Sequence, residues 1–156
     1  MSDKLSINTR ITGEEAHVEL IGVIDEDSTF DKVKNLKMNK FIFDFNKVSM
    51  INSCGIRGWI KYLQEIEGAE IKYINCPQII IEQVNMVHGF IRKGIGVETF
   101  FAPYFCPNCD TEKKILLQNN EVFNFKAPIK QCNTCKMDLE FDAIEKQYFS
   151  FRSQGN

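Results

Sequence analysis

Two Cys-x-x-Cys pairs, Cys106-Pro-Asn-Cys109 and Cys132-Asn-Thr-Cys135, hold four of the six cysteines and stand 22 residues apart. Two residues between cysteines make a tight knuckle whose thiolates converge. Two facing knuckles close a tetrahedron around one ion, at about 2.3 Å per Zn–S bond. Four thiolates leave no open position for substrate, so the implied site is structural rather than catalytic. Zinc is the expected metal, with iron as its main rival. Paired disulfides compete with this reading but belong to oxidising compartments. The start Met1-Ser-Asp-Lys-Leu-Ser6 has no basic cluster followed by an apolar run, so a cytoplasmic protein without a membrane span is expected. A redox Cys-x-x-Cys normally opens a helix in a βαβ pattern, whereas Asn108 and Asn133-Thr134 read as turns between strands.

A second place for chemistry is Ile51-Asn-Ser-Cys-Gly55, which follows the apolar run Phe41-Ile-Phe-Asp-Phe45 and directly opens a helix. A helix start has unpaired N–H groups and the positive end of the helix dipole, so it accommodates a hydroxyl or a phosphate at Ser53. The bland reading stands beside it, because Asn-Ser before a helix is what any N-terminus needs and a cap contributes about 1 kcal/mol. Cys54 and Cys76 read as small buried hydrophobes. His17 and His88 fall in a strand and a helix, so no Cys–His hydrolase is implied.

The elements that must position these residues follow from periodicity. Leu5–Ile11 and Ala16–Gly22 alternate across a turn at Thr12-Gly13-Glu14, which predicts an N-terminal hairpin. Asp27-Ser28 is the expected cap of a short helix carrying Phe30, Val33 and Leu36. The helix after Ser53 carries Ile56, Trp59, Ile60, Leu63 and Ile66 as a stripe for a sheet. Glu70–Ile74 is a further strand, Gln78 to Phe90 a helix ended by Gly94 and Gly96, and Val97–Phe101 a last strand. The order is ββαβαβαβ, a mixed sheet with helical crossovers. Between the knuckles, Lys114–Gln118 and Val122–Phe125 read as a hairpin about Asn119-Asn120, with Met137–Phe141 as a third strand. Asp142–Phe149 is an expected helix lying back on the sheet, and residues from Arg152 onward are expected to fray.

Composition fits this picture. With 156 residues, 44% hydrophobic and 13 phenylalanines, the chain suits one core domain and a small appendage. Residues 1–100 carry 12 basic against 14 acidic side chains, and residues 101–156 carry 7 against 7. Proteins that hold a phosphate backbone show a basic stripe, so nucleic acid is not an expected partner. No Gly-rich phosphate loop, HExxH helix or Gly-x-Ser-x-Gly elbow is present, and no enzyme class is supported.

The segment Glu19-Leu-Ile-Gly-Val-Ile-Asp25, the stretch Phe43–Gly58 and the order of elements resemble a STAS domain, as found in bacterial anti-sigma factor antagonists and sulfate transporter tails. The resemblance covers residues 4 to 102, about two thirds of the chain. It implies an α/β fold with a mixed sheet of about five strands and helices, here followed by a small β zinc ribbon. The implied division is a STAS-like domain at 1–104, the ribbon at 105–141 and a C-terminal helix and tail at 142–156. In the antagonist branch an Asp-Ser-Ser-Gly turn follows the strand and a partner kinase phosphorylates its first serine. Asn52, Ser53, Cys54 and Gly55 match those positions. Asn52 keeps the capping ability of the aspartate but not its charge, and Cys54 replaces a hydroxyl with a weaker donor that suits packing. The resemblance implies a non-enzymatic partner-switching module. Its partner would be a protein, a serine kinase or an anti-sigma-type protein, bound over Asn52, Ser53, Cys54, Gly55 and Arg57 and released by phosphate on Ser53. Lys47 and Asp25 to Asp27 are further rim candidates. A ribbon-centred adaptor with a degenerate, unphosphorylated STAS-like module is the competing class. In it Phe123, Phe125, Phe141, Phe149 and Phe151 either pack the ribbon or expose an aromatic surface.

Overall fold

The computed structural model describes residues 4–87, 89–92 and 94–153; His88 lies outside them. The N-terminal hairpin forms as expected. β1 (Ser6–Thr12) pairs antiparallel with β2 (Glu15–Ile24) about Gly13, whose φ of 62° suits the tight turn. Then follow α1 (Asp31–Lys34), β3 (Lys40–Ile51), α2 (Ser53–Glu65), β4 (Glu70–Ile74), α3 (Gln78–Met86) and β5 (Ile95–Val97). The order β1-β2-β3-β4-β5 is sequential, with β2 to β5 parallel. Each crossover adds a strand on the same side, and right-handed crossovers then place the helices on one face.

That face is the core. Phe41, Phe43 and Phe45 point into it from alternate positions of β3 and are fully buried. Trp59 of α2 meets Phe43 and Phe45 edge-on, with ring centroids 4.8 and 5.6 Å apart. The two polar atoms brought along are paired: Trp59 Nε1 donates to Tyr73 Oη, whose hydroxyl donates to the Phe90 carbonyl. On the opposite face His17, Glu19, Asp44 and Lys72 are only half-buried, which explains why the strands alternate in sequence.

Three helices differ from expectation, the last of them shortened from Asp142–Phe149 to Glu145–Tyr148. Ser28 does not cap α1. Its hydroxyl accepts from Asp25 N, and the helix begins three residues later behind Thr29, which accepts from Asp31 N. α3 stops at Met86 rather than reaching Phe90, because Val87 is already extended.

A second sheet, β7-β6-β8, contains β6 (Thr99–Cys106), β7 (Thr111–Gln118) and β8 (Glu140–Phe141). The hairpin expected between the knuckles is not formed. β7 pairs with β6 from Thr99↔Gln118 to Cys106↔Thr111, so the first knuckle is itself the hairpin turn, with Asp110 at φ 53°. Val122–Phe125 cannot extend as a strand because Asn124 and Phe125 both take positive φ and close a turn bridged by Phe123 and Lys126. The expected third strand over Met137–Phe141 shrinks to β8 and one Gln131–Asp138 bridge.

The two sheets are joined at their edge. Cys76 N donates to Thr99 O and Phe101 N to Cys76 O, so β6 starts alongside the end of β4 before turning into the second sheet. The sequence boundary at 104/105 thus falls inside β6. α4 (Glu145–Tyr148) and a 3-10 turn at Ser150–Ser153 close over this junction. Phe149 and Phe151 are buried against Phe100, with centroids 6.0 and 5.1 Å away. Arg152, expected to fray, donates to Asn119 Oδ1 at 2.6 Å. Packing also accounts for Phe141, which stacks on Phe149, whereas Phe123 is 73% exposed.

Candidate functional site

β3 ends at Ile51, and Asn52 leaves it in an extended conformation that aims its side chain over the first turn of α2. Asn52 Oδ1 accepts from Gly55 N at 2.8 Å, and Asn52 O accepts from Ile56 N. Asn52 is therefore the N-cap, Ser53 is the first helical residue, and the Ser53 hydroxyl is not spent on capping. The other end of the Asn52 amide donates to Glu26 Oε2 at 2.9 Å. This hydrogen bond, with one from its own backbone, holds the Glu26 carboxyl below the usual carboxylate range.

The five sequence candidates are contiguous in space but differ in access. Ser53, Cys54 and Arg57 are exposed, Asn52 is half-buried and Gly55 is buried. Cys54 is thus not the packing residue expected. The buried face of α2 runs through Gly55, Ile56, Trp59, Tyr62 and Leu63, which turns position 54 to solvent. There its sulfur accepts from Arg57 Nη2 at 3.2 Å. Among the rim candidates, Lys47 pairs with Glu19 at 3.4 Å, and Asp25 Oδ1 accepts from Asp27 N. Glu26, within the same rim stretch, gains a specific partner in Asn52. The contact spans 26 residues and exists because β2 and β3 end together at Ile24↔Ile51.

In the second sheet the knuckles face each other. The sulfurs of Cys106, Cys109, Cys132 and Cys135 all lie within 4.8 Å of one another, with Cys106–Cys135 at 3.5 Å and Cys109–Cys132 at 4.0 Å. A tetrahedral four-sulfur zinc site has edges of about 3.8 Å, so the donor set fits such an ion and no disulfide links these residues. Backbone N–H groups of Cys135 and Thr134 lower the Cys132 thiol, and that of Met137 lowers Cys135. Cys109, hydrogen-bonded to the Cys135 and Cys106 sulfurs, is raised instead. Sulfurs this close share protons until a cation replaces them. Cys76 is different: burial pushes its thiol up, and it packs as an inert apolar group.

The fold and these two sites define a mixed α/β protein with an exposed serine at a strand-to-helix turn and a four-cysteine cluster compatible with a structural metal. No helix among the described residues is long and apolar enough to cross a membrane. No family model matches the chain, and no curated protein matches it. Among solved structures it is similar to an anti-sigma factor antagonist from Mycobacterium paratuberculosis, at 13% identity and a TM-score of 0.42, over 51% of this chain and 75% of that one.

Proposed function

We propose that the chain is a non-enzymatic, cytoplasmic protein-binding module of the partner-switching kind, in which Ser53 is the phosphoacceptor and Asn52, Ser53, Cys54, Gly55 and Arg57 build the docking turn. The observation that carries this is the division of labour at α2. Asn52 caps the helix, which leaves an exposed Ser53 hydroxyl at the positive end of a 13-residue helix. A phosphate there adds about −1.5 to −2 charge where the fold tolerates it, so the surface changes while the core does not. The unmodified turn binds a serine kinase or an anti-sigma-type protein, and the modified turn releases it.

In the same proposal the sheet around the cysteines is a zinc ribbon whose ion is structural, and the two units meet within β6. Cys106, Cys109, Cys132 and Cys135 would hold the ion, which would supply cross-linking of the two knuckles and no reaction step. Phosphosite mapping on protein purified from its own host tests the switch directly. Ser53→Ala should hold the partner constitutively and Ser53→Asp weakly; equal affinity for both sinks the proposal.

One observation favours a ribbon-centred adaptor instead. Phe123 and Ile129 are 73% and 82% exposed on the loop between the knuckles. In that case F123A and I129A in the full chain would abolish partner binding, and Ser53→Asp would leave it unchanged.

A further inference from the structure

We propose that Glu26 is a positioning residue of the Ser53 turn: it orients the Asn52 amide and, through it, couples charge on Ser53 to the loop between β2 and α1. This rests on Ser53 being the modified residue. The Asn52 side chain has two different ends, and each has a partner. Oδ1 faces Gly55 N and Nδ2 faces Glu26 Oε2. Turning the amide over would set donor against donor at Gly55 and acceptor against acceptor at Glu26, so the carboxylate selects the capping orientation. An aspartate at position 52 would lose the donor and meet Glu26 with like charge.

The loop and the helix start are also locked mechanically. Asn52 N donates to Ile24 O, and the Gly55 backbone abuts Ile24 and Asp25. Asp27 N and the Ser28 hydroxyl tie the loop to Asp25 Oδ1. A phosphate on Ser53 brings a second anion beside the residue that Glu26 holds. Further charges on these elements are Asp25 and Asp27 in the same loop and Arg57 four residues along α2, which donates to the weakly accepting Cys54 sulfur. The added charge opposes the Asn52–Glu26 bond and loosens the loop, so the modified surface differs at Asp25–Ser28 as well as at the turn.

The test places phosphoserine at position 53 of the full chain during translation and follows the phosphate by 31P NMR as pH is varied. E26Q keeps an acceptor for Asn52 but removes the charge. The phosphate is expected to titrate about 0.3 pH lower in E26Q than in the parent, with D27N moving it less than half as far. Amide exchange at Asp27 and Ser28 should quicken about tenfold on phosphorylation in the parent and stay unchanged in E26Q. Equal titration of the parent and E26Q, or a D27N shift as large as that of E26Q, overturns the coupling. A host that never phosphorylates Ser53 would instead remove the switch while the inserted phosphoserine still decides the role of Glu26.

Discussion

The carbonyl oxygen of Ile24 occupies the space in which a side chain on Gly55 would begin. The end of β2 and the first turn of α2 therefore meet backbone to backbone, which places Glu26 over Asn52. Gly55→Ala should cost about 3 kcal/mol, since neither backbone can step aside without breaking the Asn52 cap. Gly58, one turn further on, meets only the edge of Phe30 at 3.7 Å. Gly58→Ala should stabilise by about 0.5–1 kcal/mol through helix propensity. Urea unfolding of both variants checks the pair, and opposite signs are the expected outcome.

Removal of the proposed metal should loosen the second sheet first. Its apolar interior is small, with Tyr104, Leu117, Val122 and Leu139 among its few buried side chains, and too little to stand without a cross-link. Native mass spectrometry should find one ion per chain, absent from Cys132→Ser. After chelation, hydrogen exchange should rise over residues 105–141 while β3 and α2 keep their protection. Loss of protection across the whole chain at once would show that the second sheet is no separate unit.

The first hundred residues were legible because each buried strand and helix announces itself by period, and Phe41, Phe43, Phe45 and Trp59 fall where the pattern puts them. The cysteine cluster was legible for a different reason: its spacing alone dictates convergence. What failed was pairing between neighbours of similar β character. Val122–Phe125 alternates like a strand, but β7 takes the longer β6 as its partner. Glu26 was named only as part of the Asp25 to Asp27 rim, because its bond to Asn52 depends on β2 and β3 ending side by side. The exposure of Cys54 was hidden because it depends on which face of α2 meets the sheet; both are tertiary facts.

Tyr148 ties the C-terminal segment to both α3 and β6. Its hydroxyl donates to Phe101 O at 2.6 Å, while its own carbonyl accepts from Asn85 Nδ2 at 2.9 Å. Tyr148→Phe keeps the ring packing on Phe141 and Phe149 but leaves the Phe101 carbonyl without that donor. The expected cost is about 1–2 kcal/mol in urea unfolding. Tyr148→Ala also opens a cavity and should cost more, about 3–5 kcal/mol.

Acid should weaken the β7 end through Glu121. Its Oε1 accepts from Lys130 Nζ at 2.7 Å and its Oε2 from Gln118 N at 2.8 Å. These bonds, Lys130 first, hold the carboxyl below its ordinary value of 4.5. A carboxyl lowered by folding contributes stability above its unfolded pKa and loses that contribution as pH falls through the folded one. The parent should therefore exceed Glu121→Gln in stability at pH 7 by under about 1 kcal/mol, the scale of an exposed ion pair. The gap should begin to close near pH 4.5 and vanish in stronger acid. Thermal unfolding of both proteins across that range decides the matter, because a gap that persists in acid would assign the effect to packing of the side chain rather than to its charge.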